Sequence, residues 1–202
     1  MFSESKYVKN TYNLIAEHFS RTRYKPWPEI ENFLKNLDSG FICEIGCGNG
    51  KNFCDNKHIY IGGDISIKML EHCRNANDKI LLSGINLPFT TNSFDGVMSI
   101  AVLHHLNTIK RRKKFLEELI RITKPGGSLL LSVWAHESKD QKRSNQDGLI
   151  KWEKRDKTKY FRYYHLFTYN EVYKLLIQVK NIESFNIWYS NENFFFKMIK
   201  SL

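Results

Sequence analysis

A chain of 202 residues with 42% hydrophobic and 26% charged side chains carries core material for a single α/β domain over 1–202 and is too apolar for a disordered tail. No apolar run reaches the roughly 18 residues of a membrane span and residues 1–6 are too polar for a signal peptide, so a cytoplasmic or nuclear location without a membrane partner is expected. The net charge of +10 is concentrated in residues 110–162, which hold 16 Lys/Arg against 7 Asp/Glu, with peaks at 110–114, 139–143 and 151–159; this suits a polyanionic partner, or else a solubilising surface.

Residues 3–37 read as an amphipathic helical lead-in, broken at Pro26-Trp27-Pro28 because proline can open a helix but not continue one. Standing before the first strand, residues 1–37 are placed to form a lid. Residues 41–45 form a short apolar strand that runs into Gly46-Cys47-Gly48-Asn49-Gly50, and 59–62 form a second that ends at Asp64. Ser66 caps a helix with Ile67, Leu70 and Cys73 on one face. Further strands are expected at 79–82 and 94–101. Asn107 or Thr108 opens a helix through Ile122, stopped by Lys124-Pro125-Gly126-Gly127 before a fifth strand at 128–133. Residues 137–160 form a polar excursion. Thr168 and Glu171 make a capping box for the stripe Val172, Leu175, Leu176 and Val179, and 182–189 with 194–199 read as a hairpin turned at Ser190-Asn191-Glu192-Asn193. Strands alternating with helices imply a mainly parallel sheet covered on both faces, an antiparallel edge from the hairpin, and a ligand crevice at the carboxyl ends of the strands.

Three glycines at alternate positions after a buried strand let the backbone turn sharply and approach a ligand, and Asp64, at the end of the next strand, can take both hydroxyls of a ribose. A dinucleotide fingerprint reads GxGxxG; here the pattern is ExGxGxG, from Glu44 through Gly46, Gly48 and Gly50. That form resembles the first motif of class I S-adenosylmethionine methyltransferases. The resemblance implies a Rossmann-like fold with a seven-stranded sheet, Glu44 helping to hold the cofactor's ammonium, and Asp64 with Ile65 at its ribose. Asn86-Leu87-Pro88-Phe89, Phe94-Asp95 and Ala101-Val102-Leu103-His104-His105-Leu106 match further motifs, which adds Asn86, Leu87 and Ala101 to the implied cofactor contacts. Ser83 stands where that family often has an acid for the adenine amine. Cys43, Cys47, Cys54 and Cys73 fit neither a disulfide framework nor zinc spacing and read as reduced packing residues, so no metal is expected in this chain.

Residues 12–28, YNLIAEHFSRTRYKPWP, are similar to the eukaryotic transfer-RNA wobble-uridine carboxymethyl methyltransferases, and the likeness continues through Cys47-Gly48-Asn49-Gly50-Lys51, Ser99–His105, Gln146-Asp147 with Trp152, and Arg162-Tyr163-Tyr164-His165-Leu166-Phe167. It implies methyl transfer from S-adenosylmethionine to 5-carboxymethyluridine at the anticodon, S-adenosylhomocysteine as the by-product, and a heterodimer with a small zinc-binding activator subunit. A carboxylate acceptor, with a pKa of roughly 4, is already ionised at neutral pH and needs no general base. It needs a cation on its non-attacking oxygen. Arg23 is the first candidate, with the cofactor's own carboxylate and a surface ion pair as its other roles. Of His104 and His105, at the end of the fourth strand, one is expected to face the site and the other to pack. Tyr12 and Trp27 cover cofactor or base, or else belong to the core. Arg162, Tyr163, Tyr164 and His165 offer charge and stacking surface for a splayed anticodon base, or form a buried aromatic cluster, while Lys110, Arg111, Arg112 and Lys113 are candidates for phosphate contacts. The rival readings are a class I methyltransferase with another RNA, protein or small-molecule acceptor, and a non-catalytic RNA-binding scaffold of the same fold.

Overall fold

The computed structural model describes residues 2–137 and 145–202, so the basic peak at 139–143 lies outside the described residues. Five parallel strands, β1 (Phe41–Ile45), β2 (Ile59–Asp64), β3 (Asp78–Leu81), β4 (Phe94–Ile100) and β5 (Thr123–Trp134), make most of one sheet. β6 (Asp147–Glu153) and β7 (Lys159–His165) pair separately, and the hairpin β8 (Ile182–Ser190) and β9 (Asn193–Lys200) adds antiparallel to β5. The seven-stranded order is β3-β2-β1-β4-β5-β9-β8. The strand order therefore reverses between β1 and β4, whose following loops diverge to opposite faces and open a crevice at their carboxyl ends. Continuous apolar runs such as Leu129-Leu130-Leu131, buried on both faces, suit a sheet covered on both sides.

Helices α1 (Thr11–Thr22), α2 (Pro28–Lys35), α3 (Ile67–His72), α4 (Ile109–Ile122) and α5 (Tyr169–Leu176) cover the sheet and its edge. Leu116, Leu119, Val172 and Leu175 pack with Val97, Leu129 and Leu131 on one face; Ile30, Phe33 and Leu34 pack with Ile42, Met98 and Leu130 on the other. The Ser66 and Thr108 hydroxyls cap their helices, and Thr168 with Glu171 closes the expected capping box. Among the described residues no helix is long and apolar enough to cross a membrane.

Several boundaries differ from the sequence reading. The fourth strand stops at Ile100 because Ala101 takes a φ of 60°. The segment Lys124-Pro125-Gly126-Gly127 is no separate loop: it lies in the extended run of β5, where the pairing slips between Phe94↔Thr123 and Gly96↔Ser128. Leu70 and Cys73 are buried as expected, but Ile67, the first residue of α3, is 45% exposed, and Met69 takes its place on the buried face. Val179 lies beyond the end of α5. The expected excursion at 137–160 includes β6 and the start of β7, a hairpin that buries Ile150 and Trp152. The terminal turn is tighter than four residues, since Ser190 pairs with Asn193 and only Asn191 and Glu192, both at positive φ, form the loop.

The lead-in begins as a π-helix, Ser5–Asn10, continuous with α1. It is strapped across the crevice at three places. The Asn13 side-chain Oδ1 accepts from the Ser66 hydroxyl at 2.7 Å, the Thr11 hydroxyl donates to the Phe161 carbonyl at 3.0 Å, and Glu4 takes the Arg111 guanidinium and the Asn107 backbone amide.

Candidate active site

The crevice encloses a cavity of about 510 Å³ between the lead-in, the β1 loop and β7, a size that suits a small-molecule cofactor. At one end Gly46, Gly48 and Gly50 all take positive φ, which ordinary residues avoid. The Gly46 amide donates to the Gly63 carbonyl at 2.6 Å, locking the loop to β2. Asp64 accepts from the Gly48 amide at 2.9 Å through Oδ2 and from the Ser66 amide at 2.8 Å through Oδ1. Burial raises its pKa against the pull of those amides. Each oxygen keeps a lone pair, enough for the two hydroxyls of a ribose.

Glu44, at the end of β1, is buried; its Oε1 accepts from Asn52 Nδ2 at 2.6 Å, while Oε2 has no partner. Burial pushes its carboxyl up to about 8, against the opposing influence of Asn52 and Lys51. An orphaned carboxylate oxygen in a cavity wall is the complement of an ammonium group, so this end fits S-adenosylmethionine. Ile65, Ala101 and Trp27 also line the cavity, Trp27 beneath the Lys51 ammonium at 4.8 Å from its ring centroid. Asn86 and Leu87 do not: Asn86 is exposed, and Leu87 is buried in the core with its amide on Glu118. A turn closed by the Asn86 amide on the Ser83 carbonyl presents Ser83, Gly84 and Ile85 to the cavity and directs the next two residues away. Asn52 and Lys51 escaped the sequence assignment although they directly follow the glycine loop.

At the other end lies a directed chain of hydrogen bonds. His105 Nδ1 is 2.7 Å from the Tyr163 carbonyl, which only accepts, so Nδ1 carries the proton and Nε2 is an acceptor. The Tyr12 hydroxyl therefore donates to Nε2 at 2.9 Å, Tyr164 donates to Tyr12 at 3.4 Å, and Arg162 Nη1 donates to the Tyr164 hydroxyl at 2.7 Å. Burial, with Arg162 adding to it, pulls His105 down to about 3, so the imidazole is neutral at physiological pH. His104 is fully buried outside the cavity wall, stacked on Tyr164 at 4.6 Å, and burial holds it well below the ordinary histidine range. Of the two histidines His105 faces the cavity.

Strand alternation divides the four residues at 162–165. Arg162 and Tyr164 line the cavity, whereas Tyr163 and His165 turn away from it, both onto Asp147. Arg23 lies at the exposed mouth, its guanidinium 5.9 Å from the Phe19 ring and 5.6 Å from Trp152. Neither Arg23 nor Arg162 has a carboxylate partner among the described residues. Trp134, at the carboxyl end of β5, lines the cavity too and was missed, though its strand-end position marks it.

The basic run at 110–114 is divided by the helix period. Arg112 points inward with Phe115 and Leu116, donates to the Leu106 carbonyl at 2.9 Å and sits over Phe167, so it cannot meet a phosphate. Arg111 is held in a two-pronged pair with Glu4, at 2.9 and 2.6 Å. Lys110 and Lys113 lie on the outer part of the helix. Among the described residues no three His, Cys, Asp or Glu side chains gather as a metal site, and the four cysteines are free.

A parallel sheet with a positive-φ glycine loop, an acid ending each of two adjacent strands and a wall open to an ammonium define a class I S-adenosylmethionine-dependent methyltransferase. Residues 43–131 match the family model for a methyltransferase domain. A tRNA (carboxymethyluridine(34)-5-O)-methyltransferase of Schizosaccharomyces pombe is 36% identical over 86% of this chain and 87% of its own length; one from Arabidopsis thaliana is 46% identical over 68% of this chain. The chain belongs to this tRNA carboxymethyluridine methyltransferase family, although it spans only 35% of the Arabidopsis relative. The fold recurs in a SAM-dependent methyltransferase of Thermotoga maritima (TM-score 0.71, 19% identity, 95% of this chain and 99% of that one). It recurs also in a complex between the Haloferax volcanii Trm112 methyltransferase activator and a methyltransferase (TM-score 0.69, 14% identity, 96% and 98%).

Proposed function

We propose that the protein esterifies the carboxylate of 5-carboxymethyluridine at the tRNA wobble position. S-adenosylmethionine supplies a methyl group on a sulfonium. A carboxylate lone pair forms the new O–CH3 bond while the S–CH3 bond breaks, its electron pair passing to sulfur, and no proton moves. The observation that carries this reading is the character of the acceptor end: two guanidinium groups without carboxylate partners among the described residues, and a histidine whose acceptor nitrogen is already taken by Tyr12. Such a wall stabilises an anion and has no base to offer, as an ionised acceptor requires.

In this reading Glu44 and Asp64 hold the cofactor's ammonium and ribose, with Ile65, Ala101 and the Ser83 turn around the adenosyl group. Tyr12 and Trp27 close the lid side. Arg23 at the mouth holds a carboxylate, the cofactor's or the acceptor's, and Tyr164 backs the base. Lys110 and Lys113 meet RNA phosphates. A small activator subunit belongs to the same proposal, supported by the Trm112 complex of the Haloferax neighbour, and the cytoplasm, with a nuclear share, is the compartment it implies. The test is co-expression with the activator and mass spectrometry of wobble nucleosides before and after addition of the methyl donor: the methyl ester should appear only with both present, and its absence in the complete mixture refutes the proposal.

A further inference from the structure

Arg162, one of the two guanidinium groups of the acceptor wall, has as yet no particular ligand assigned to it. Arg162 is 5% exposed, and its guanidinium carbon lies 4.8 Å from the Trp152 ring centroid and 5.0 Å from that of Tyr164. Both rings engage it, so a ligand is left its in-plane N–H edge. Nη1 is spent on the Tyr164 hydroxyl; Nε is buried without any partner. Among the described residues no neighbouring group gives compensating negative charge: Trp152 turns its own N–H to His18 Nδ1 at 3.1 Å, and Tyr164 keeps its proton, burial holding it well above the ordinary phenol range. A buried guanidinium in this state costs free energy until an anion reaches it. Arg23, in contrast, is exposed, and its charge is felt by Lys51, beside Glu44 at the cofactor end.

We propose that Arg162 selects the acceptor: its in-plane edge binds the carboxylate oxygen that does not attack, and the aromatic pair Trp152 and Tyr164 fixes the plane of that edge. This rests on the carboxymethyluridine reading and adds to it the residue that makes a carboxylate, rather than the isosteric amide, the preferred ligand. A carboxylate neutralises the buried charge, whereas a carbamoylmethyl group of the same shape supplies only a neutral carbonyl dipole. Tyr164 and Trp152 act as positioning residues.

The experiment compares anticodon stem-loops carrying carboxymethyluridine or carbamoylmethyluridine, binding to the activator complex at one fixed salt concentration in the presence of S-adenosylhomocysteine. The native protein should prefer the carboxylate by at least about tenfold, the size of a charge-assisted hydrogen bond. In Arg162→Gln the two RNAs should bind within about threefold of each other, with S-adenosylhomocysteine affinity unchanged as the sign of an intact fold. If Arg162→Gln loses the by-product as well, Arg162→Lys carries the test, since it keeps the charge without the fork; its preference should fall without vanishing. An unchanged preference in the folded variant overturns the assignment, as does collapse of the preference in Arg23→Gln alone. Formation of the methyl ester by the native complex distinguishes the two levels. If no ester forms, the carboxymethyluridine reading fails; if ester forms and Arg162→Gln still prefers the carboxylate, only the role of Arg162 fails.

Discussion

The hydroxyl of Tyr12 lies 2.9 Å from Nε2 of His105, joining the lid to the loop after β4. Since the other ring nitrogen is committed to the Tyr163 carbonyl, this bond uses the last lone pair of a neutral imidazole. His105 thus faces the cavity with both ring nitrogens engaged, so it has no free lone pair to act as a base.

Methyl transfer under single-turnover conditions with saturating S-adenosylmethionine should therefore be nearly independent of pH between about 6 and 8, because no group at the acceptor end must lose a proton there. Burial keeps His105 at about 3, far below that window. Rates followed by quench-flow across it check the point; a tenfold rise per pH unit would mean that a proton is abstracted.

Tyr12→Phe should lower kcat/KM about fivefold, the worth of one neutral hydrogen bond of about 1 kcal/mol, by loosening the lid. Steady-state kinetics and hydrogen exchange of residues 5–22 measure the two effects together. Faster exchange without any kinetic loss would separate the lid from catalysis.

Glu44 links pH to stability. Burial holds its carboxyl at about 8 in the folded protein against 4.5 ordinarily, so the folded chain binds that proton more tightly than the unfolded one. Its contribution to stability is complete below about 4.5 and is lost as pH rises towards 8. Thermal melts of the ligand-free protein should fall over that range relative to Glu44→Gln. Binding of S-adenosylmethionine at pH 7 should expel the proton, which calorimetry in buffers of different ionisation enthalpy detects.

Asp64→Ala removes an acceptor from two backbone amides and, in the proposed complex, from the ribose. Loss of about 2 kcal/mol, or roughly thirtyfold in affinity for S-adenosylhomocysteine, is expected by titration.

The two kinds of basic residue in the run at 110–114 should behave oppositely. Replacing Lys110 and Lys113 by Gln should weaken RNA binding regardless of sequence and flatten its salt dependence by nearly two charges, with stability unchanged. Arg112→Ala should instead cost about 1–3 kcal/mol of stability, since it takes the donor from the part-buried Leu106 carbonyl and removes a buried side chain packed over Phe167. Filter binding over a salt series and denaturant unfolding distinguish them.

Local pattern made the cofactor end legible. Glu44, the three glycines and Asp64 owe their positions to two strand ends and a turn that only glycine tolerates, all written within 21 consecutive residues. Asn86 and Leu87 were misplaced because a motif names a segment, whereas a single turn at Ser83 decides which of its residues face inward. Likewise 162–165 read as one cluster until the two-residue period of a strand divided it, and the run from Lys110 to Lys114 read as one patch until the helix turned Arg112 inward.

The order of apolar runs, glycines and caps by itself determined the sheet, its crevice and the acid that ends each of two strands, because those depend on backbone geometry over a few residues. Only the tertiary structure decided that Tyr12, His105, Arg162 and Tyr164 form one chain of donors, for they are brought together across as many as 152 positions of sequence by the packing of the lid on β7. It also decided that Arg162 is buried with no carboxylate partner among the described residues. Whether a charged side chain is paired, solvated or stranded depends on what surrounds it in space, and residue order does not specify that until the core has closed around it.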